Sequence, residues 1–262
     1  PARLVPGLID ENLREPEKEN AIVLCNESLL QPVIHSLDER VKKVNVTMGF
    51  PLSQTPVYSF VSSLFDLQTS GYDVDSGKFS YEQVASVLKH PYTHMLLRKD
   101  GEGKEKAMDL LGELTRRNRF YPLPSELQLS GVLTDLFTPQ TSQSNLCAYI
   151  LYLLEEVAAV IGEAGTSERF LSQLYSESLF QTYKLIGRIG SLIEQGDLKV
   201  ENGLLSTLMN RVLTTATIPF HGEPAEGLQI MGVLETRNLE FKNLIVLSLN
   251  EGQLPKKEGE SS

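Results

Sequence analysis

The chain has no tryptophan, only two cysteines and no unbroken run of 18 apolar residues. Two cysteines, Cys25 and Cys147, are too few for a disulfide framework and too far apart for clustered metal ligands. Each sits in an apolar segment, so both read as buried small hydrophobes in a reducing, cytoplasmic compartment. Without a long apolar run, no segment is expected to span a bilayer. Positive charge is also scarce: 24 Lys and Arg stand against 34 Asp and Glu, a net charge of −10. That balance opposes wholesale binding of a polyanion and leaves room only for a local basic strip. The chain starts at Pro1 without a signal-like layout. It ends on Lys256–Ser262 after a strand-like run, the pattern expected of an excised segment.

The sequence also lacks the constellations of common enzymes. A phosphate-cradling loop needs two spaced glycines followed by lysine and a hydroxyl, so that backbone N–H groups and the ammonium grip the phosphates. The nearest run, Gly101-Glu102-Gly103-Lys104-Glu105, lacks the upstream glycine and the hydroxyl, and is expected to be a loop. His90 and His94 have helical ligand spacing, but Pro91 lies between them and no acidic third ligand is placed. A structural role is expected for both. Asp135 and Glu155-Glu156 lack the strand-borne lysine of a nuclease site, and there is no nucleophile elbow. No catalytic residue and no metal ligand is assigned.

What is present is an α/β pattern. Hydrophobic residues make up 41% of 262, enough for one large or two modest well-buried domains. Ala21–Cys25 is a continuous apolar run, as expected of a strand covered on both faces. Asn26 can cap a helix carrying Leu29, Leu30, Val33, Ile34 and Leu37, and Val44–Gly49 reads as a second strand. Thr55-Pro56 starts a helix, Ser80–Gln83 and Ser125–Gln128 read as capping boxes, and Pro91 should stop a helix at His90. Helical periods run through Leu146–Val157 and Leu179–Ile193, with no convincing strand between Phe60 and Thr214. Strand signals return at Thr217–Phe220, Leu228–Leu234 and Leu244–Leu249. The expected architecture is a discontinuous α/β domain with a parallel sheet, residues 1–56 and 215–262, and an all-helical inserted domain, residues 57–214.

The stretch Gly227–Pro255 carries the most information. Arg237 with Leu239-Glu240-Phe241, followed by a strand and Asn250-Glu251-Gly252…Pro255, resembles the motif V region of UvrD-type superfamily 1 helicases. Gly232, Leu234 and Asn238 stand where that motif has threonine, histidine and glycine. This degenerate form is most similar to AddB-type subunits of bacterial helicase–nucleases, many of which carry an inactivated motor. Ala21–Glu27 resembles the motif IV strand, and Val44–Leu52 the strand that leads into the helical insertion. The resemblance covers nearly the whole chain and implies a second RecA-like (P-loop NTPase-like) domain with its insertion. It leaves out the first RecA-like domain with its phosphate-binding motifs, the arginine of motif VI and the nuclease domain.

The resemblance implies that Glu240 contacts the nucleotide ribose and that Thr236 and Arg237 face DNA phosphates. The alternative is that Arg237 and Glu240 merely stabilise the turn between two strands. Arg116, Arg117 and Arg119, beside Phe120 and Tyr121, have the composition of a phosphate-and-stacking contact. A solvated helix end, with cations complementing the dipole, explains them at least as well and is the preferred reading. No cofactor is expected in the chain itself, whereas ATP and Mg would serve the full-length parent. The implied partners are single-stranded DNA, the missing motor and nuclease domains, and an AddA-like helicase subunit. A protein-interaction scaffold that keeps the fold without meeting DNA is the competing expectation. Both agree that the purified chain hydrolyses no ATP and cuts no DNA, because the phosphate loop and the nuclease carboxylates are missing from it. DNA-stimulated phosphate release that survives repurification would overturn this.

Overall fold

A computed structural model of the chain describes residues 19–37, 41, 44–99, 101, 103–163, 169–198, 202–218, 227–236 and 239–250. In chain order, the elements begin with β1 (Asn20–Leu24), α1 (Leu30–Ser36), β2 (Val44–Val46) and β3 (Phe50–Pro51). Then come α2 (Pro56–Thr69), β4 (Tyr72–Asp73), β5 (Lys78–Phe79), α3 (Tyr81–Lys89), α4 (Pro91–Lys99) and α5 (Gly103–Arg116). They continue with α6 (Pro124–Leu127), α7 (Gly131–Leu136), α8 (Gln143–Glu163), α9 (Arg169–Glu194) and α10 (Asn202–Thr215). The last are β6 (Thr217–Ile218), β7 (Leu228–Gly232) and β8 (Asn243–Leu247). The chain divides into two compact units, Pro1–Phe50 with Pro219–Ser262, and Pro51–Ile218. The fold is α/β.

The first unit is organised by a four-stranded sheet in the order β2-β7-β1-β8 with every pairing parallel. Strand β1 is buried along its whole length, which is why its sequence, Asn-Ala-Ile-Val-Leu, does not alternate. Ile22 faces Ile230 in register, both fully buried. Two amide pairs lock that register. Asn45 donates from Nδ2 to Gln229 Oε1 at 2.7 Å, directly across β2 and β7. Asn243 donates likewise to Asn20 Oδ1 at 2.8 Å across β8 and β1. Gln229 spends its own donor on Gly227 O at 3.0 Å, so the buried amide is satisfied on both sides. Asn26 does cap, accepting from Ser28 N–H at 3.0 Å, but it caps a 3-10 turn, Glu27–Leu29, that leads into α1.

The second unit is mainly helical. Thr55 precedes α2 with Pro56 at its first position, as expected, but the Thr55 hydroxyl donates back to Leu52 O at 2.6 Å instead of capping. Helices α8 and α9 make the most extensive helix pair. They approach closely where a Cβ on Gly190 would sit 3.2 Å from Cys147 Cβ. By length and composition α8 would be apolar enough to cross a membrane over Gln143–Gly162, a test that a helix packed in a protein core also passes. Its apolar side, including Ile150, Leu153, Leu154 and Val157, is buried within the protein. Tyr152, Glu155 and Glu156 interrupt the run and so hide the helix from a test of unbroken length.

Several local expectations are corrected. A short hairpin, β4 with β5, lies inside the span expected to be free of strands. Asp73 builds its turn by accepting from Asp75 N–H at 3.2 Å and Ser76 N–H at 3.3 Å, and Gly77 supplies a φ of +67°. Ser80 precedes α3 but makes no capping bond. Ser125 lies inside α6, which starts at Pro124; there Glu126 reaches back to Leu123 N–H at 2.8 Å, half of a capping box, since leucine has no acceptor to return. The Gly101–Glu105 run is only partly loop, because α5 begins at Gly103. Strand β7 stops at Gly232 and turns into a 3-10 segment, Leu234–Thr236, where a strand through Leu234 was expected. The expected strand Thr217–Phe220 is β6 over Thr217–Ile218; residues 219–220 lie outside the described residues, as does the polar lead-in 1–18.

The Asn45–Gln229 pair predicts a thermodynamic cycle. Gln229→Leu strands a buried amide and should cost about 1–3 kcal/mol of stability, read from urea midpoints. Asn45→Val combined with Gln229→Leu should recover at least half of that loss. Strictly additive losses would show that the pair does not hold the register.

Candidate functional site

Because the four strands run parallel, their carboxyl ends share one edge, and the segments that follow them gather there, where α/β sheets bind ligands. Strand β1 delivers Cys25, Asn26 and Glu27 to this edge, and its neighbour β7 delivers Leu234–Thr236. A methyl group on Gly232 would sit 2.5 Å from Glu235 Oε2 and 3.6 Å from Glu27 Oε1, so the tips of two exposed glutamate side chains approach the strand end. Neither glutamate stood out in sequence as a site residue. The signal that could have found them is a glycine closing a buried strand, which often marks a close approach.

The sequence-derived candidates fall as follows. Thr236 is half-buried and its hydroxyl donates to Val233 O at 2.7 Å, closing the 3-10 turn. Arg237 lies outside the described residues. Glu240 is exposed. The turn is anchored on both sides of Glu240. Leu239 N–H donates to Thr236 O at 3.3 Å, and Phe241 packs on Ala21, Val23 and Met231. Lys242 is tied to Glu19 by its backbone N–H at 2.9 Å and by its ammonium at 2.6 Å.

In the second unit, Arg116, Arg117 and Arg119 gather around the end of α5, where Asn118 takes a left-handed φ of 52°. All three are ion-paired: Arg116 and Arg117 share Glu113, and Arg119 meets Glu126 at 3.3 Å. Three guanidiniums against two carboxylates leave a surplus of one positive charge. Phe120 and Tyr121 beside them are 63% and 67% exposed, too exposed to serve a core. The backbone there is pinned, since Tyr81 N–H donates to Phe120 O and Phe79 N–H to Pro122 O, both at 2.9 Å.

His90 and His94 do not form a ligand pair, and among the described residues no three His, Cys, Asp or Glu side chains gather around a point. His90 Nδ1 accepts from Tyr92 N–H at 3.1 Å, so in the neutral ring Nε2 carries the proton and faces Ser59 Oγ at 3.0 Å. Ser59 in turn donates to Pro56 O at 3.0 Å. The hydroxyl therefore accepts the ring's hydrogen bond and donates its own to Pro56 O, the reverse of a serine activated by a histidine base. Burial against Phe60 and Tyr92 holds the His90 imidazolium down to about 4. Burial likewise pushes the Cys147 thiol up to about 11, which leaves almost no thiolate at neutral pH.

His90 is neutral when folded and titrates near the ordinary 6.5 when unfolded. Its contribution is therefore complete above pH 6.5 and is lost as pH falls toward 4. Allowing for its partial exposure, that loss is on the order of 2 kcal/mol. In urea unfolding, His90→Gln should flatten the decline between those pH values, whereas an unchanged decline would assign it to carboxylates alone.

No protein-family model matches the chain, and no curated protein matches it.

Proposed function

We propose that this chain is a non-catalytic part of a DNA repair and recombination helicase–nuclease, similar to UvrD-type helicases and AddB-type subunits. In this reading the first unit is the second RecA-like domain, and the helical span 57–214 is the insertion such motors carry. Its role is to handle single-stranded DNA and to complete the nucleotide site of the full-length protein. One observation carries the reading. The buried strand β7 of a parallel sheet runs out at its carboxyl edge into the turn that bears Thr236 and Glu240. Glu240 would meet the ribose, and Thr236 with Arg237 the DNA phosphates. Arg116, Arg117 and Arg119 would add a second phosphate contact, with Phe120 and Tyr121 as stacking surfaces. ATP and Mg would act only in the full-length protein, with the first motor domain, a nuclease domain and an AddA-like subunit as cytoplasmic partners.

A scaffold that no longer meets DNA is the second reading. The carboxylates already paired with all three α5 arginines favour it, as does the net charge of −10.

Fluorescence anisotropy with a labelled oligo(dT) at two salt concentrations separates the two readings. The DNA reading expects weak, steeply salt-dependent binding that Arg237→Ala weakens by about 1.5–3 kcal/mol, roughly tenfold or more. The salt slope should fall by about 0.7, one phosphate's worth on a single strand. Identical curves for both proteins would remove Arg237 from the site. No binding even at low salt would leave the scaffold.

A further inference from the structure

The way α5 ends places three arginines and two aromatics on one turn. Asn118 takes the left-handed conformation, and the N–H groups of Asn118 and Arg119 return to Thr115 O at 3.1 Å and Leu114 O at 2.8 Å. This pair of bonds is a Schellman cap, which satisfies carbonyls of the last turn and leads the chain off the helix axis. Beyond it the backbone is fixed. Phe120 and Pro122 accept from the N–H groups of Tyr81 and Phe79, and Phe79 itself is fully buried. Phe120 and Tyr121 therefore stand in solvent on a backbone that is held in place.

Dipole complementarity explains only part of this turn. It accounts for Arg116 and Arg117 at the end of α5, but not for Arg119 beyond the cap, nor for two large rings left in water. The ion pairs are open ones. The side chains of Arg116, Arg117 and Arg119 remain 76%, 60% and 56% exposed, and Arg116 is 3.9 Å from Glu113. Pairs this exposed contribute little and exchange readily. A phosphate can replace each carboxylate, because the guanidinium fork of donors matches both anions.

We infer that this turn is a self-masked site for single-stranded DNA. Glu113 and Glu126 hold its guanidiniums in the free chain, and backbone phosphates displace them while bases stack on Phe120 and Tyr121. The aromatics decide the class of ligand. An acidic peptide would exchange one carboxylate for another and gain nothing at the rings. A duplex keeps its base faces stacked inside. An unpaired strand brings phosphates and open base faces together, which is what rings beside guanidiniums take up. The two carboxylates thus set the affinity, because the phosphates must displace them. The inference rests on the DNA reading above, but on residues separate from the turn after β7.

Anisotropy of labelled oligo(dT) with the full chain at low salt tests it. Glutamine keeps the size of glutamate, and at position 126 its carbonyl can still accept from Leu123 N–H, so Glu113→Gln and Glu126→Gln remove charge alone. Each should tighten binding about threefold, and the double variant roughly tenfold. Asp197→Asn removes the same charge from the exposed segment after α9 and should change the affinity less than about twofold. In the double variant, Phe120→Ala or Tyr121→Ala should weaken oligo(dT) by at least about fivefold, and an abasic strand of equal length should bind no better than those variants. Glutamine variants no tighter than Asp197→Asn would overturn the site. So would aromatic truncations without effect, or an oligoglutamate that competes as well as oligo(dT). Binding that Arg237→Ala weakens and the glutamine variants leave unchanged removes this site alone, and the reverse pattern removes the turn after β7 alone. No binding in any variant, the double glutamine variant included, overturns both.

Discussion

The parallel sheet depends on joining the two ends of the chain, and the Asn45–Gln229 hydrogen bond, 184 residues apart in sequence, is where that join is specified. Apolar burial alone would favour closure in more than one register, because Ile, Val and Leu are nearly interchangeable along β1, β7 and β8. A buried amide is not interchangeable. It must meet its partner or bear the full cost of desolvation, so Asn45 with Gln229 and Asn20 with Asn243 select one alignment among several of similar hydrophobic content. Once that alignment is set, the carboxyl ends of β1 and β7 are neighbours, and the segments bearing Glu27, Glu235 and Thr236 are brought to one edge.

The same sheet accounts for the odd composition of the turn after β7. Gly232 weakens a strand interior, and the carboxylate of Glu235 lies over the strand end beside it. Phe241 serves packing, partly buried against Ala21, Val23 and Met231, while Leu239 and Glu240 before it stay exposed. One short segment therefore divides between a side chain that packs on the sheet and side chains left in solvent. In the second unit the division is similar. Phe79 is buried in contact with Tyr72 and Phe137, whereas Phe120 and Tyr121, on a backbone bonded to the same hairpin, stand in solvent.

Electrostatics reads differently at the level of side chains than in the composition. The arginine cluster near residue 117 is a basic feature of an acidic chain, yet Glu113 and Glu126 reduce its surplus to a single charge. His90 and Cys147 are both held neutral by burial, so neither adds charge at neutral pH. Asp66 is the contrasting case, an exposed carboxylate on α2 with no ion partner among the described residues, beside serine hydroxyls and the Asn210 amide.

The sequence by itself determined the local elements. The apolar run of β1, Pro56 at the start of α2, Pro91 after α3 and the helical periods of α8 and α9 are all legible, because each rests on backbone preference or burial within one window of residues. The α/β class followed from where those windows lie. Only the tertiary structure decided the strand order β2-β7-β1-β8, the amide pairs that set it, the approach of Glu27 and Glu235 to Gly232, and the pairing of Arg119 with Glu126. The hairpin at Tyr72–Phe79 was hidden because two-residue strands carry no period, and its stability comes from Asp73, Gly77 and the packing of Phe79. The groove beside Asp66, between α2, α3 and α10, was hidden for a different reason. Serines at i, i+3 and i+4 with Asp66 at i+7 are visible in sequence, but whether two such faces close or leave a space depends on how helices distant in the chain are held apart.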